Sequence, residues 1–313
     1  MRFRILMASF LLGCAAPLAA QEPQCQSGTT QAARAACNTG VDAARAFHPV
    51  AGILVSGGNP VLAAGGTLGG PGHLSVSGRI NAIRVSLPNP DSAAESSVPS
   101  SFEGFVPAPV VEASVGALNG LGSGLLSVDV LGSAVLLPTG VRRMTVADNA
   151  ARIGDMALGL GYGARVGVLR GALVVPSVSV SVMRRHLPRV QYGDVEAGDL
   201  SDFTTDLDAT NVRVAAGMSL VFLDVAAGFG VDWYRSDARI RYDDLGIIRT
   251  VNLELESTRQ VLFLDAGMSL GVGKLVAEVG YQTGKDQRLS TDFSDFDPSS
   301  GHVFWSLGVR FAF

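Results

Sequence analysis

A few side chains in this sequence have the types that hydrolytic chemistry requires. Asp206 and Asp208 flank one leucine, and paired carboxylates can share acid–base work or bind a cation. Ser306 lies four positions after His302, two inward steps apart if both belong to one strand, a spacing that arises by chance. No Asp-His or Asp-x-His pair occurs, and the histidines are scattered at His48, His73, His186 and His302. We therefore predict that the chain is not an enzyme and has no catalytic, cofactor or metal site.

A larger set of charged side chains recurs at alternate positions along apolar segments. Period two places such residues on one face of a strand, which would line a barrel lumen if the apolar face meets lipid. The set has five acids and five bases: Arg79, Glu112, Asp129, Arg165, Arg213, Asp232, Arg259, Asp265, Glu278 and Arg310. Balanced signs favour a salt-bridged interior over a selective pore. Counting from turns and chain ends predicts the pairs Arg79–Glu112, Asp129–Arg165, Arg213–Asp232 and Glu278–Arg310.

The elements that position these charges are strands of period two. Ten are expected, near 73–87, 108–118, 125–137, 154–169, 172–186, 208–223, 225–241, 255–272, 274–287 and 302–313. Short connections alternate with long ones at 88–107, 138–153, 187–207, 242–254 and 288–301. This alternation is typical of barrels with short periplasmic turns and longer extracellular loops. Twelve strands is the alternative count, with an extra hairpin formed by residues 49–56 and 61–68.

The last strand is amphipathic and ends on aromatic residues. Residues 303–313 alternate between an apolar row and a mostly small or polar row, and the chain ends on Phe311-Ala-Phe313. A final strand with an aromatic carboxy-terminus resembles the closing strand of bacterial outer-membrane β-barrels. The resemblance implies that Phe311 and Phe313 are read by the barrel-assembly machinery. We predict an all-β fold, a transmembrane antiparallel up-and-down barrel in the outer membrane of a Gram-negative bacterium.

The first 20 residues are typical of a signal peptide. A basic start and an apolar run of residues 5–12 precede a small-residue stretch, and we place cleavage after Ala20. Residues 11–14 also resemble a lipoprotein cleavage box, which would make Cys14 the lipidated residue. The predicted domains are therefore a signal peptide over 1–20, an N-terminal segment over 21–72 and the barrel over 73–313.

Residues 21–72 form either a small periplasmic segment or a plug inside the barrel. Cys25 and Cys37 are expected to form a disulfide in an oxidising compartment. The following residues 49–72 are rich in glycine and have no clear period. Asn59-Pro60 is similar to the end of the N-terminal hatch in the outer-membrane long-chain fatty-acid transporter family. That resemblance implies passage of hydrophobic molecules, with residues 21–72 as the hatch.

Composition agrees with a membrane barrel and limits the function. Charged residues make up 17% of the chain and the mean hydropathy is +0.31, although no helical span is present after the signal. The formal net charge of −4 argues against a nucleic-acid partner. Expected partners are outer-membrane lipids and the assembly machinery, with a small solute or a hydrophobic molecule as candidate ligand. We predict a structural, porin-like barrel or a narrow passive pore, with a transporter of hydrophobic molecules as the alternative. A rim-site hydrolase similar to the ten-stranded omptin proteases is a third hypothesis.

Overall fold

The computed structural model describes residues 23–94, 97–121, 125–139, 143–146, 150–172, 175–284, 289–293, 297 and 300–313. The predicted signal peptide and Cys14 lie outside these residues. Ten long strands form the barrel: β1 Leu74–Pro88, β2 Ser100–Leu118, β3 Val128–Pro138, β4 Met156–Leu169, β5 Ser177–Tyr192, β6 Ser201–Ser219, β7 Leu223–Asp244, β8 Ile247–Leu270, β9 Gly273–Gln282 and β10 His302–Ala312.

The ten strands close into an antiparallel up-and-down ring. Each strand pairs with its neighbours in the chain, and β10 pairs with β1 from Phe304–Ile83 to Ala312–Ser75. The predicted fold class and the count of ten are therefore confirmed. The alternative hairpin over 49–68 is absent, because most of that range is helical or lies in a turn. Four short strands extend the sheet or pair with each other: Ser97–Val98, Met144–Val146, Arg152–Ile153 and Asp292–Phe293.

The two ends of the barrel differ. At the turn end the chain reverses at 119–127, 170–176, 220–222 and 271–272, and the C-terminus lies there as well. At the loop end it reverses at 89–99, 139–155, 193–200, 245–246 and 283–301. The predicted long loop at 242–254 is wrong, since β7 and β8 continue to a two-residue turn at Leu245-Gly246. Ile240, Tyr242 and Val251 are buried on the inner face there, which extends the strands beyond the expected limit.

A helix, α1, fills the lumen from Gln31 to Ser56. The Thr30 side chain accepts a hydrogen bond from the Ala33 N–H at 3.0 Å and caps its first turn. Nearly every residue from Ala35 onward is buried, and a Cβ on Gly52 would lie 2.5 Å from the Tyr234 ring. Polar residues recur on α1 at helical spacing, at Arg34, Asn38, Asp42 and Arg45, and Asn38 and Asp42 are buried because the barrel wall surrounds the helix. None of the described helices is long and apolar enough to cross a membrane.

The N-terminal chain enters the barrel lumen at the loop end and leaves it at the turn end. The backbone N–H of Thr29 donates to the Asp244 carboxylate at 3.1 Å, beside the β7–β8 turn. After α1, Gly65 packs against Gly217 near the turn end. The disulfide segment therefore lies at the loop end, and α1 follows it into the lumen.

The outer surface of the barrel is an apolar belt. Large apolar side chains on alternate positions face outwards, for example Ile80 at 47%, Leu160 at 60% and Leu262 at 57% exposure. Monomeric soluble proteins rarely expose apolar patches of this extent. A barrel that crosses a bilayer has such a band, flanked by aromatic residues.

Candidate functional site

The centre of the lumen holds a set of charged wall residues bound to the backbone of the N-terminal chain. Arg213 on β6 pairs with Asp232 on β7, with Nη1–Oδ1 at 2.5 Å and Nη2–Oδ2 at 3.0 Å. The same guanidinium donates to the Gly57 and Gly58 carbonyls, both at 3.0 Å. Its five donors thus bind a carboxylate and two backbone oxygens at once.

Glu278 on β9 holds the same backbone from the other side. Its carboxylate accepts hydrogen bonds from the N–H of Gly58 at 3.1 Å and of Asn59 at 2.6 Å. Arg79 on β1 donates to the Asn59 carbonyl at 3.1 Å and to Glu278 at 3.4 Å. We call Arg79, Arg213, Asp232 and Glu278 the clamp, and Gly57–Asn59 the clamped turn.

Glycine is required in the clamped turn because the wall side chains approach so closely. Gly57 has a φ of 60°, and a Cβ there would lie 2.6 Å from Arg79 Nη2. A Cβ on Gly58 would lie 2.6 Å from the Glu278 carboxylate. The charges therefore bind backbone atoms that any other residue would shield.

Asn59 of the Asn-Pro motif anchors the next turn. Its side-chain amide donates to Asp265 at 2.6 Å, and its carbonyl oxygen accepts from the Val61 N–H at 3.1 Å. Asp265 also accepts from the Ala63 N–H at 3.2 Å. Asp265 and Glu278 occupy opposite positions on β8 and β9, so two acids face the same turn.

A second layer lies nearer the turn end. Asp129 on β3 pairs with Arg165 on β4 at 2.8 Å and accepts from the Leu68 N–H at 3.0 Å. Arg310 on β10 donates to the Ser75 hydroxyl and to the Leu62 carbonyl. Both layers thus hold the N-terminal chain through its backbone.

The predicted pair Glu278–Arg310 does not form. In the β9–β10 ladder Glu278 faces Ser306, whereas Arg310 faces Lys274. The long connection 283–301 does not fix the register of these strands, so counting from the chain end failed. The other three predicted pairs meet, with Arg79 and Glu112 at 3.1 Å.

Arg185 is a charged lumen residue that escaped the sequence analysis. Arg185 is buried and pairs with Glu112 at 2.9 Å. It lies between Arg184 and His186, and this polar run was interpreted as the end of the strand. The alternation of the strand could have identified it, because Arg185 lies an even number of residues after the inward-facing Ser179 and Ser181. Arg259, the remaining predicted lumen residue, is buried and donates to the Thr283 carbonyl at 3.3 Å.

Polar contacts near the loop end hold α1 itself. His48 lies between Ser236 and Ser257, with ring nitrogen to hydroxyl distances of 2.8 and 3.1 Å. The Asp42 carboxylate accepts from the Thr291 hydroxyl and N–H, both at 2.8 Å. Sequence patterns could not find these contacts because they depend on the helix lying inside the ring.

Among the residues considered for hydrolytic chemistry, Asp208 and His186 form a contact, but they share no site with Ser306. Asp208 contacts His186 at 3.0 Å on the outer face of the wall, where both are exposed. Asp206 accepts from the Asp237 N–H on the neighbouring strand. Ser306 is buried in the lumen and donates to Asn81 at 2.9 Å. Within the described ranges, no group of three or more potential metal ligands occurs.

The disulfide and the terminal aromatic residues have defined positions. Cys25 and Cys37 are bonded and buried, with a Cα–Cα distance of 5.6 Å. Phe311 belongs to the outward row of β10. The backbone of Phe313 exchanges two hydrogen bonds with Leu74 at 2.8 and 3.0 Å, at the seam where the ring closes.

Ion pairs also join the connections at the loop end. Arg143 contacts Asp91 at 2.5 Å and Asp199 at 2.7 Å. Burial, together with a hydrogen bond shared with Asp91, raises the pKa of Asp199 to about 6. The hydrogen bond from Arg143 lowers the pKa of Asp91 to about 2. The two carboxyl groups therefore differ in charge over a wide pH range.

No protein-family model matches the chain, and no curated protein matches it. Similar solved structures include the N-terminal β-barrel domain of Pseudomonas aeruginosa OprF, at 14% identity and a TM-score of 0.26, covering 50% of this chain and 93% of that one. Neisserial surface protein A is 12% identical with a TM-score of 0.31, covering 77% and 97%. The translocator domain of the autotransporter NalP from Neisseria meningitidis is 11% identical with a TM-score of 0.39, covering 78% and 89%. We assign no function from these matches, and they do not support the resemblance to the fatty-acid transporters.

Proposed function

We propose that this protein is an outer-membrane β-barrel whose lumen is sealed by its own N-terminal segment, and that its role is structural. The observation that carries the proposal is the clamp. Arg79, Arg213 and Glu278 bind five backbone N–H and carbonyl groups of the clamped turn. Asp232 holds Arg213 in place through two hydrogen bonds. Charges engaged in this way are satisfied within the protein and do not offer a binding path to ions.

The rest of the lumen supports the same conclusion. Helix α1 occupies the barrel from the loop end to the clamp. Nearer the turn end, the Asp129–Arg165 pair holds the N-terminal chain at Leu68. A ten-stranded ring is only slightly wider than the eight-stranded type that side chains fill. Conduction, or transport of a hydrophobic molecule past residues 21–72, would require the clamp to release the clamped turn.

Planar-bilayer recordings of the refolded full chain test the seal. We expect the native protein to be electrically silent. The variant Arg213→Gln with Glu278→Gln removes one positive and one negative charge from the clamp and should show frequent openings. The control variant Arg235→Gln with Glu256→Gln removes the same two charges from an ion pair on the outer face and should stay silent.

Heat-modifiable mobility on gels first establishes that each variant has a folded barrel. Steady conductance of the native protein would overturn the sealed lumen. A folded clamp variant as silent as the outer-face control would show that the clamp does not hold the plug.

A further inference from the structure

The barrel wall has an incomplete seam between β2 and β3. Their ladder ends at the pair Val110–Val135, although β2 continues to Ser100 and β3 to Pro138. In the same register, Pro109 would face Leu136 and Pro107 would face Pro138. All three prolines lack the N–H that a ladder needs.

The prolines affect only one side of β2. Successive residues of an antiparallel strand direct their N–H groups alternately to the two neighbouring strands. The Gly116 N–H donates to the His73 carbonyl, next to the start of β1. The backbone N–H groups of even-numbered residues of β2 therefore point towards β1, and those of odd-numbered residues point towards β3. The β1–β2 ladder accordingly continues past both prolines. The result is a gap on the β3 side alone.

An apolar cavity lies behind this gap. It has a volume of about 110 Å³. Its lining combines residues of α1 inside the barrel with residues of β2 that face outwards: Phe47, Val50 and Leu54 with Phe105 and Pro107. A cavity lined from both sides of the wall passes through the plane of the wall. A dry cavity of roughly 150 Å³ binds benzene in another protein, so this one accepts a few carbon atoms.

The gap faces the rim of the apolar belt at the loop end. Phe105 is 60% exposed and packs against Trp305, with ring centroids 6.2 Å apart. The outward Arg84–Glu103 ion pair lies one step further towards the loop end. Aromatic residues followed by charges mark the boundary between hydrocarbon and head groups. Tyr192, which donates to the Pro88 carbonyl at 2.9 Å, bounds the cavity on its loop-end side.

We propose that the β2–β3 gap is a lipid-binding site, in which the acyl chain of a lipid from the surrounding leaflet enters the cavity and contacts α1. The lipid head group remains at the rim beside Arg84 and Glu103. The bilayer supplies hydrocarbon at this height, and the lining offers it an apolar surface without a polar partner to displace. This inference rests on the proposed membrane location but not on the sealed lumen.

Photo-crosslinking in phosphatidylcholine vesicles tests the site. One acyl chain of a fraction of the lipid carries a diazirine, and mass spectrometry locates the adducts on the refolded full chain. We expect adducts on Phe47, Val50 or Leu54 of α1, in addition to outward residues of the belt. The variant Pro107→Val with Pro109→Val restores two donors, and it should reduce the α1 adducts several-fold while belt adducts persist. Pro188→Val on β5, away from the gap, is the matched control and should keep the native pattern.

A second variant closes the site without altering the backbone. Val50→Phe fills the cavity and should also remove α1 adducts. Adducts confined to the belt of the native protein would overturn the site, and so would α1 adducts that survive both changes. If the native protein shows no adducts at all, neither on α1 nor on the belt, the membrane location and with it the proposed function would be contradicted. Conductance in the bilayer recordings would overturn the sealed lumen and leave the lipid-binding site unaffected.

Discussion

The Arg213–Asp232 pair offers the sharpest test of the clamp. Arg213→Met leaves the Asp232 carboxylate buried, and among the residues that the structure describes the remaining donor to it is the Tyr234 hydroxyl, at 2.6 Å. Removing one partner of a buried ion pair costs about 3–5 kcal/mol, and Asp232→Asn should cost a similar amount because it leaves the guanidinium charge uncompensated.

The double variant should be more stable than either single variant. With both charges removed, the remaining loss of stability comes from the Gly57 and Gly58 carbonyls, which no longer receive hydrogen bonds from Arg213. At about 1 kcal/mol for each unmade hydrogen bond, the double variant should lose about 2 kcal/mol of unfolding free energy. Simple additivity would give about 6–10 kcal/mol from the same single-variant values.

Urea unfolding of refolded protein in detergent, followed by tryptophan fluorescence, measures the cycle. The exposed Arg235–Glu256 pair is the control, and its two single changes should add without measurable coupling. Additive losses at Arg213 and Asp232 would refute the reasoning, because the two side chains would then not interact. A double variant less stable than both singles would show that the clamp contributes more through the turn than through its charges.

Three further outcomes are expected. A cysteine at Leu245 at the loop end should react with a membrane-impermeant maleimide on intact cells, whereas one at Val272 at the turn end should not; the reverse pattern would invert the orientation. Deleting Phe313 should reduce the heat-modifiable folded form in membranes, because it removes two backbone hydrogen bonds at the β1–β10 seam; normal folding would argue against an assembly signal. Since burial and the hydrogen bond that protonated Asp199 donates to Asp91 raise the pKa of Asp199 to about 6, the stability that Asp199 contributes is present below pH 4 and lost as the pH rises through 6. Proteolysis at the loop end should therefore quicken between pH 5 and 7, and Asp199→Asn should abolish that change; an unchanged profile in this variant would contradict the assignment.

The wall of the barrel could be predicted from the sequence because period two is a local signal. Alternating rows on β4, β6 and β7 place apolar residues outwards and charges inwards without any knowledge of the partner strands. Short turns also fix the register, which is why Arg213 and Asp232 meet as counted from the 220–222 turn. Where the connection is long, as between β9 and β10, the count failed.

The contents of the lumen could not be predicted in the same way. Helix α1 has polar residues at helical spacing, at Arg34, Asn38, Asp42 and Arg45, but this local pattern does not indicate that a ring of strands surrounds the helix. Its small residues, Ala35, Ala36, Gly40, Ala43 and Ala44, allow a helix to fit within so narrow a ring, and this role is recognisable only once the ring is known. The β2–β3 gap could not be predicted, because the effect of Pro107 and Pro109 depends on which neighbouring strand their nitrogen atoms face.

The threaded N-terminal chain fixes the order in which the molecule can be assembled. Residues 31–70 lie within a ring whose last seam joins β1 to β10, so the ring is complete only when the final strand has been added. If the ring closed first, the disulfide-bonded segment or the helix itself would have to pass lengthwise through the narrow, side-chain-lined lumen. Closure of the strands around a helix already in place avoids that passage. In that order of assembly the wall would curve around the N-terminal segment, and a domain fused before Pro23 would be left outside the loop end.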